Sequence, residues 1–225
     1  MAEATVVALL GAESTGKTTL AAALARRLGE ETGLRSTWVD EWLRAWCARE
    51  GRTPRADEQA AIAREQHARI AAAAATHDLV VCDTTALATA VYSHLLFGDR
   101  TLHEMAVALH RAHVSLTLLT APDLPWVADG LQRDGPQVRE PVDAALRALL
   151  HAQRLLWAPV SGQGEARLEM ALDAVAPLLR RRTLPRDGLF SRLARRNAEA
   201  PAWQWVCEKC DVPECEHAQL RRGGG

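Results

Sequence analysis

Gly11-Ala12-Glu13-Ser14-Thr15-Gly16-Lys17-Thr18-Thr19 is the stretch on which the reading of this chain turns. Glycine, four residues, glycine, lysine and then a hydroxyl residue is the spacing of a phosphate-binding loop. Both flanks agree with it. Residues 4–10 are a short apolar run of the kind a buried parallel strand requires. Residues 20–28, rich in alanine and leucine, read as a helix. Gly11 and Gly16 let the backbone turn tightly and approach phosphate, so the amides of a loop that also holds Glu13, Ser14, Thr15 and Thr19 converge on the oxygens. The helix N-terminus adds its positive end. Lys17 supplies a point charge for the β- and γ-phosphates, and the Thr18 hydroxyl a ligand for Mg²⁺. The other basic residues are arginines apart from Lys209, so lysine stands where a slim, flexible ammonium must fit inside a loop. The expected ligands are ATP and Mg²⁺.

A length of 225 residues with 48% hydrophobic content suits one domain plus an appendage. A formal charge of −1 argues against a dedicated nucleic-acid binder. No apolar run reaches transmembrane length and no signal-type leader opens the chain, so no membrane partner and a cytoplasmic location are expected. Five cysteines, with Cys207, Cys210 and Cys215 crowded together, do not resemble a secreted disulfide framework.

Further along, residues 35–39 read as a second strand ending at Asp40 and Glu41. Parallel α/β sheets meet their ligands at the carboxyl ends of strands, which places this acidic pair for chemistry. Trp38, Trp42 and Trp46 follow at intervals of four, with Arg44 among them. If a helix begins near Asp40, Trp42 and Trp46 share a face, for packing or for stacking on an aromatic substrate. Thr53-Pro54 reads as the start of a helix reaching about Thr76. Residues 79–82 are another buried strand, and Asp83 has the form of a Walker B carboxylate for the Mg²⁺ shell; a plain turn aspartate is the alternative. Thr84 and Thr85 cap a helix that carries Tyr92 and ends near Phe97-Gly98. A helix over 101–113, a strand over 114–119, a helix over 142–157, a short strand over 158–161 and a helix over 165–181 complete the alternation. The result is an α/β fold with a parallel sheet flanked by helices.

The segment 126–139 breaks this regularity. It is polar and carries Trp126, Asp129, Arg133 and Arg139, so it reads as a lid bringing arginine to the phosphoryl group or as an ordinary surface loop. Residues 1–181 form the P-loop domain, and residues 182–225 an arginine-rich linker and a tail. In the tail, Cys207, Cys210, Cys215 and His217 are ligands of the softness zinc favours; reduced thiols or a disulfide are the alternatives.

Together these residues resemble the nicotinamide riboside kinase domain of NadR-type proteins and their AAA-type P-loop relatives. The resemblance rests on the loop with its acidic third residue, on Glu41-Trp42-x-Arg44 where the family favours Glu-Tyr-x-Arg, and on Asp83-Thr84. It extends to Val91-Tyr92-Ser93, to the segment from Trp126 to Leu131, and to Gly162-x-Gly164 with Arg167. It covers residues 4–179. It implies transfer of the ATP γ-phosphoryl group to the 5′-hydroxyl of ribosylnicotinamide. Carried onto this chain, Lys17 and Thr18 hold phosphate and Mg²⁺, and Asp83 supports the metal. Glu41, with Asp40 as runner-up, orients or deprotonates the acceptor hydroxyl, and Trp42 takes the place of the family's tyrosine. Arg44, Trp126 and Asp129 fall at the substrate, and Arg133 serves where the family has arginine at the position of Gln132. The family's second acid after Asp-Thr is Thr85 here, and the cysteine-rich tail lies outside the domain. The competing class is an ATP-dependent switch, hydrolysing ATP and signalling to a protein partner through the tail.

Overall fold

The computed structural model describes residues 4–127, 135–179 and 198. The chain divides into units Met1–Phe190 and Ser191–Gly225, and the elements below belong to the first. Five strands, β1 (Thr5–Leu10), β2 (Ser36–Val39), β3 (Leu79–Asp83), β4 (Leu116–Thr120) and β5 (Trp157–Val160), form one parallel sheet in the order β2-β3-β1-β4-β5. The strands β1, β3 and β4 are buried along their whole length. This is why they read as unbroken apolar runs rather than as alternating ones.

Among the described residues six α-helices connect the strands, α1 (Lys17–Thr32), α2 (Trp42–Glu50), α3 (Gln59–Thr76), α4 (Ala86–Phe97), α5 (Leu102–His113) and α6 (Arg139–Ala152), and α7 (Gly164–Leu179) follows β5. Successive β1 residues point to opposite faces. Val6 and Leu10 belong to apolar clusters built with α3 to α6, whereas α1 packs against β2, β3 and α7. Two layers of helix thus enclose the sheet.

Several boundaries differ from the sequence expectation. The helix α1 begins at Lys17, inside the phosphate loop, and continues through Thr32 to a left-handed cap at Gly33 (φ 71°). The apparent turn at Glu30 is therefore helical. Thr53-Pro54 does not start a helix. The Glu58 carboxylate instead accepts the Arg55 backbone N–H at 2.8 Å and is gripped by Arg52 at 2.6 Å and 2.7 Å. These arginines hold its carboxyl down at about 2. A 3-10 turn over Ala56–Glu58 forms there, and α3 begins at Gln59. Trp157 was expected at the end of a helix; α6 stops at Ala152 and Trp157 opens β5.

Register brings the chemistry to one edge. Leu9 pairs with Asp83 and Leu10 with Leu119, while Val39 pairs with Cys82. The phosphate loop after β1, Glu41 after β2 and Asp83 at the end of β3 therefore share the carboxyl edge of the sheet, where ligands bind in such folds.

Candidate active site

The loop between β1 and α1 is held in shape from outside. Gly11 has φ 150°, and a Cβ there would stand 2.1 Å from Thr120 Oγ1, so only glycine fits. Gly16 adopts φ 73° to turn into the helix. The Thr120 hydroxyl donates to Leu10 O at 3.0 Å and meets the Thr15 hydroxyl at 2.7 Å, pinning the loop to β4. Ser14 Oγ accepts the Val127 N–H at 2.8 Å, which seats the chain after β4 against the loop.

A second restraint comes from Arg167 on α7, which is 4% exposed. Its guanidinium donates to Thr15 O at 2.9 Å, Ala121 O at 3.1 Å, Gly162 O at 2.6 Å and Asp123 Oδ1 at 2.7 Å. One planar cation thereby ties the phosphate loop, the turn after β4 and the turn after β5. The fork of donors explains why arginine, not lysine, does this. Spacing placed Arg167 only as part of a resemblance; its four acceptors lie in three separate stretches, which no local pattern reveals.

Inside the loop, Lys17 Nζ donates to Ala12 O at 2.8 Å. Thr18 Oγ1 donates to Asp83 Oδ2 at 2.5 Å, and the buried Asp83 Oδ1 has no hydrogen-bond partner among the described residues. Burial pushes the Asp83 carboxyl up, opposed chiefly by the Lys17 ammonium and the Thr18 hydroxyl. A hydroxyl and a carboxylate with a spare buried oxygen beside a phosphate loop are the oxygen donors Mg²⁺ takes when it also holds substrate phosphates. The residues fit that ion.

Next to this lies a cavity of about 350 Å³. Gly11, Glu13, Ser14 and Lys17 form one end; Glu41, Arg44, Gln59, Gln66, Thr84, Thr89, Tyr92 and Phe97 are among the other lining residues. Glu41 is the N-cap of α2 and lies 3.7 Å from Arg44. Gln66 of α3 accepts the Trp42 backbone N–H at 2.6 Å and donates to Asp40 O at 3.2 Å, which fixes the turn carrying Glu41. Asp40, by contrast, is exposed and outside the cavity lining.

Trp42 is absent from the cavity lining. Its indole packs with Trp46, Cys47 and Ile62, and the Arg69 guanidinium covers it at 4.0 Å from the ring centroid. On this face Arg49 of its own helix and Arg69 of α3 both stack on the ring; the aromatic side chains lining the cavity are Tyr92 and Phe97. Trp126 is half-buried and also outside the lining. Thr15 is buried and Thr19 exposed. Thr85 is buried as the N-cap of α4, accepting the Leu87 N–H at 3.3 Å and facing His110, so the family's second acid is replaced at a position turned away from the cavity. Sequence reasoning missed Gln59, Gln66 and Thr89, since polar residues within helical runs carry no spacing signal. Asp129, Arg133, Cys207, Cys210, Cys215 and His217 lie outside the described residues.

The model of the AAA domain family (AAA_28) matches residues 6–167, spanning the loop, Glu41, Asp83 and Arg167. This chain belongs to the AAA domain family. No curated protein matches this AAA domain. Among solved structures, it is similar to a NadR protein in complex with NR, with 23% identity, a TM-score of 0.61 and coverage of 77% of this chain and 51% of that one. A NadR protein in complex with NAD and AMP-PNP gives 21% identity, a TM-score of 0.61 and coverage of 81% and 51%. The thymidylate kinase from Candida albicans gives 9% identity, a TM-score of 0.58 and coverage of 82% and 96%. The chain spans about half the length of the NadR proteins it matches. At these identities the likeness is one of fold: a parallel sheet flanked by helices, as in P-loop kinases. No helix among its described residues is long and apolar enough to cross a membrane.

Proposed function

We propose that this AAA domain is a cytoplasmic MgATP-dependent kinase acting on a nucleoside-like acceptor, with nicotinamide riboside as the leading acceptor and nicotinamide mononucleotide as product. The observation that carries the reading is that Glu41 and Lys17 line the same cavity, with the Thr18–Asp83 pair beside it. An acceptor in that cavity puts a hydroxyl between a carboxylate and the phosphate loop. The acceptor oxygen bonds to the γ-phosphorus, the bond from that phosphorus to the β–γ bridging oxygen breaks, and the acceptor proton passes to Glu41, leaving ADP. Mg²⁺, when bound at Thr18 and Asp83, neutralises charge on the phosphates. Lys17 leaves the Ala12 carbonyl for the phosphate oxygens, and Arg44 positions the acceptor. Asp129 is assigned to the acceptor, and Arg133 to the charge that develops on the transferred phosphoryl group.

The test is transfer of label from γ-labelled ATP to nicotinamide riboside and a panel of nucleosides, with Lys17→Ala as the control. Transfer by the wild type and its loss in the variant are expected. ATP hydrolysis with no acceptor phosphorylated overturns the kinase and leaves the ATP-dependent switch. For the tail we propose structural zinc at Cys207, Cys210, Cys215 and His217, so freshly purified reduced protein carries about one zinc per chain. Metal analysis that finds none refutes this site.

A further inference from the structure

The cavity is longer than phosphoryl transfer alone requires. Its lining includes Gly11, Lys17, Glu41 and Thr84 at or just after the carboxyl ends of β1, β2 and β3, and also Pro54, Gln59, Tyr92 and Phe97, before and along α3 and α4. The distance follows from α3. Gln66 holds the turn beside Glu41, and Gln59 lies about two helical turns earlier, roughly 10 Å along the axis. Tyr92 and Phe97 lie on successive turns of α4, away from the Thr84 end. That span suits a ribose and its attached ring.

Gln59 is 4% exposed and lines the cavity, yet its carboxamide has no hydrogen-bond partner among the described residues. Gln66, on the same helix, spends its amide on two backbone groups. A buried amide left open to a cavity whose lining also holds Pro54, Ile62, Tyr92 and Phe97 is the kind of placed polar group that fixes a ligand's orientation.

We propose that Gln59 selects the acceptor by the edge of its ring. One Gln59 N–H donates to a carbonyl oxygen, and the Gln59 carbonyl accepts an N–H from the same edge, while Tyr92 and Phe97 cover the ring face. The ligand class is a riboside whose planar ring presents a neighbouring C=O and N–H. A ring-borne carboxamide and the imide edge of a pyrimidine base share that chemistry. The assignment rests on the cavity being the acceptor site.

The experiment compares nicotinamide riboside, uridine and the riboside of unsubstituted pyridine on the wild type and on Gln59→Met, which keeps length and removes both polar edges. The wild type is expected to favour one of the first two over the pyridine riboside by tenfold or more in kcat/KM, carried mainly by KM. Gln59→Met brings that ratio to within about threefold. Preference for nicotinamide riboside identifies a carboxamide edge, and preference for uridine an imide edge. A loss shared equally by all three ribosides, or no loss, overturns the proposal, because a residue that only supports α3 leaves the ratio intact. If the wild type phosphorylates none of them, the kinase reading fails on its own, and Gln59 is judged by calorimetric binding of the same ribosides. There, a preference abolished in Gln59→Met supports the assignment; an unchanged preference, or no binding, refutes it.

Discussion

Two neighbouring carboxylates, Asp40 and Glu41, end the same strand, and a single step of chain direction separates their roles. Glu41 caps α2 and turns into the cavity, while Asp40 is exposed and engages the fold through its carbonyl. The sequence placed both at the right edge of the sheet; choosing between them required the cap of α2, which depends on Gln66, distant in the chain. Thr84 shows the same limit. It holds φ 68°, its N–H donates to Leu9 O at 3.0 Å, and its buried hydroxyl has no hydrogen-bond partner among the described residues. A β-branched residue in this left-handed conformation is costly, and it lines the cavity. At this scale the expectation concerns Glu41. Glu41→Gln keeps the shape and removes the proton acceptor, so kcat should fall by about 10²–10⁴ while nucleotide affinity, read by titration, stays within about threefold. An unchanged kcat would show that Glu41 takes no proton.

Among the elements, the strands were the most legible, because a strand buried on both faces cannot disguise its composition. Helix ends were least so. At α3 an ion-paired Glu58, not Thr53, sets the start, and at α1 the loop glycine itself is the cap. The helix α5 is attached to the sheet by a contact no periodicity shows. His110 lies between Thr117 of β4, at 2.8 Å from Nε2, and Thr85 at the start of α4, at 3.3 Å from Nδ1. Burial lowers its ring from the usual 6.5 to about 4, so it is neutral in the folded protein at neutral pH. The folded state therefore refuses a proton that the unfolded chain accepts. Stability is complete above about pH 6.5 and declines as pH falls towards 4, by about 1.4 kcal/mol per pH unit for this one group. Urea unfolding at pH 7 and pH 5 measures the drop. His67 and His94 are shifted in the same direction, so the drop must shrink in His110→Gln to be assigned here. Equal drops in both proteins would exclude His110 as its source.

For the molecule as a whole, the P-loop motif pointed to the family, and the alternation of strands and helices to the parallel sheet whose carboxyl edge carries the loop. The acceptor cavity was harder to read, because its walls come from α2, α3 and α4 and from side chains whose neighbours in sequence face elsewhere. The placement of Trp42 is the clearest case. Its helix was foreseen, but its ring turns towards Arg69 because α3 crosses there. Arg167 has a consequence in time as well as in space. Within the domain, the phosphate loop leaves the ribosome before every helix, yet the guanidinium that anchors Thr15 O comes from α7, which follows the strands described above. At about 5–20 residues per second, the first loop waits many seconds for its final donor. A nascent chain halted before α7 carries every residue of the loop and lacks the clamp that closes it. The loop's fully anchored shape thus arrives late in synthesis, and the oldest part of the domain is the last to be finished.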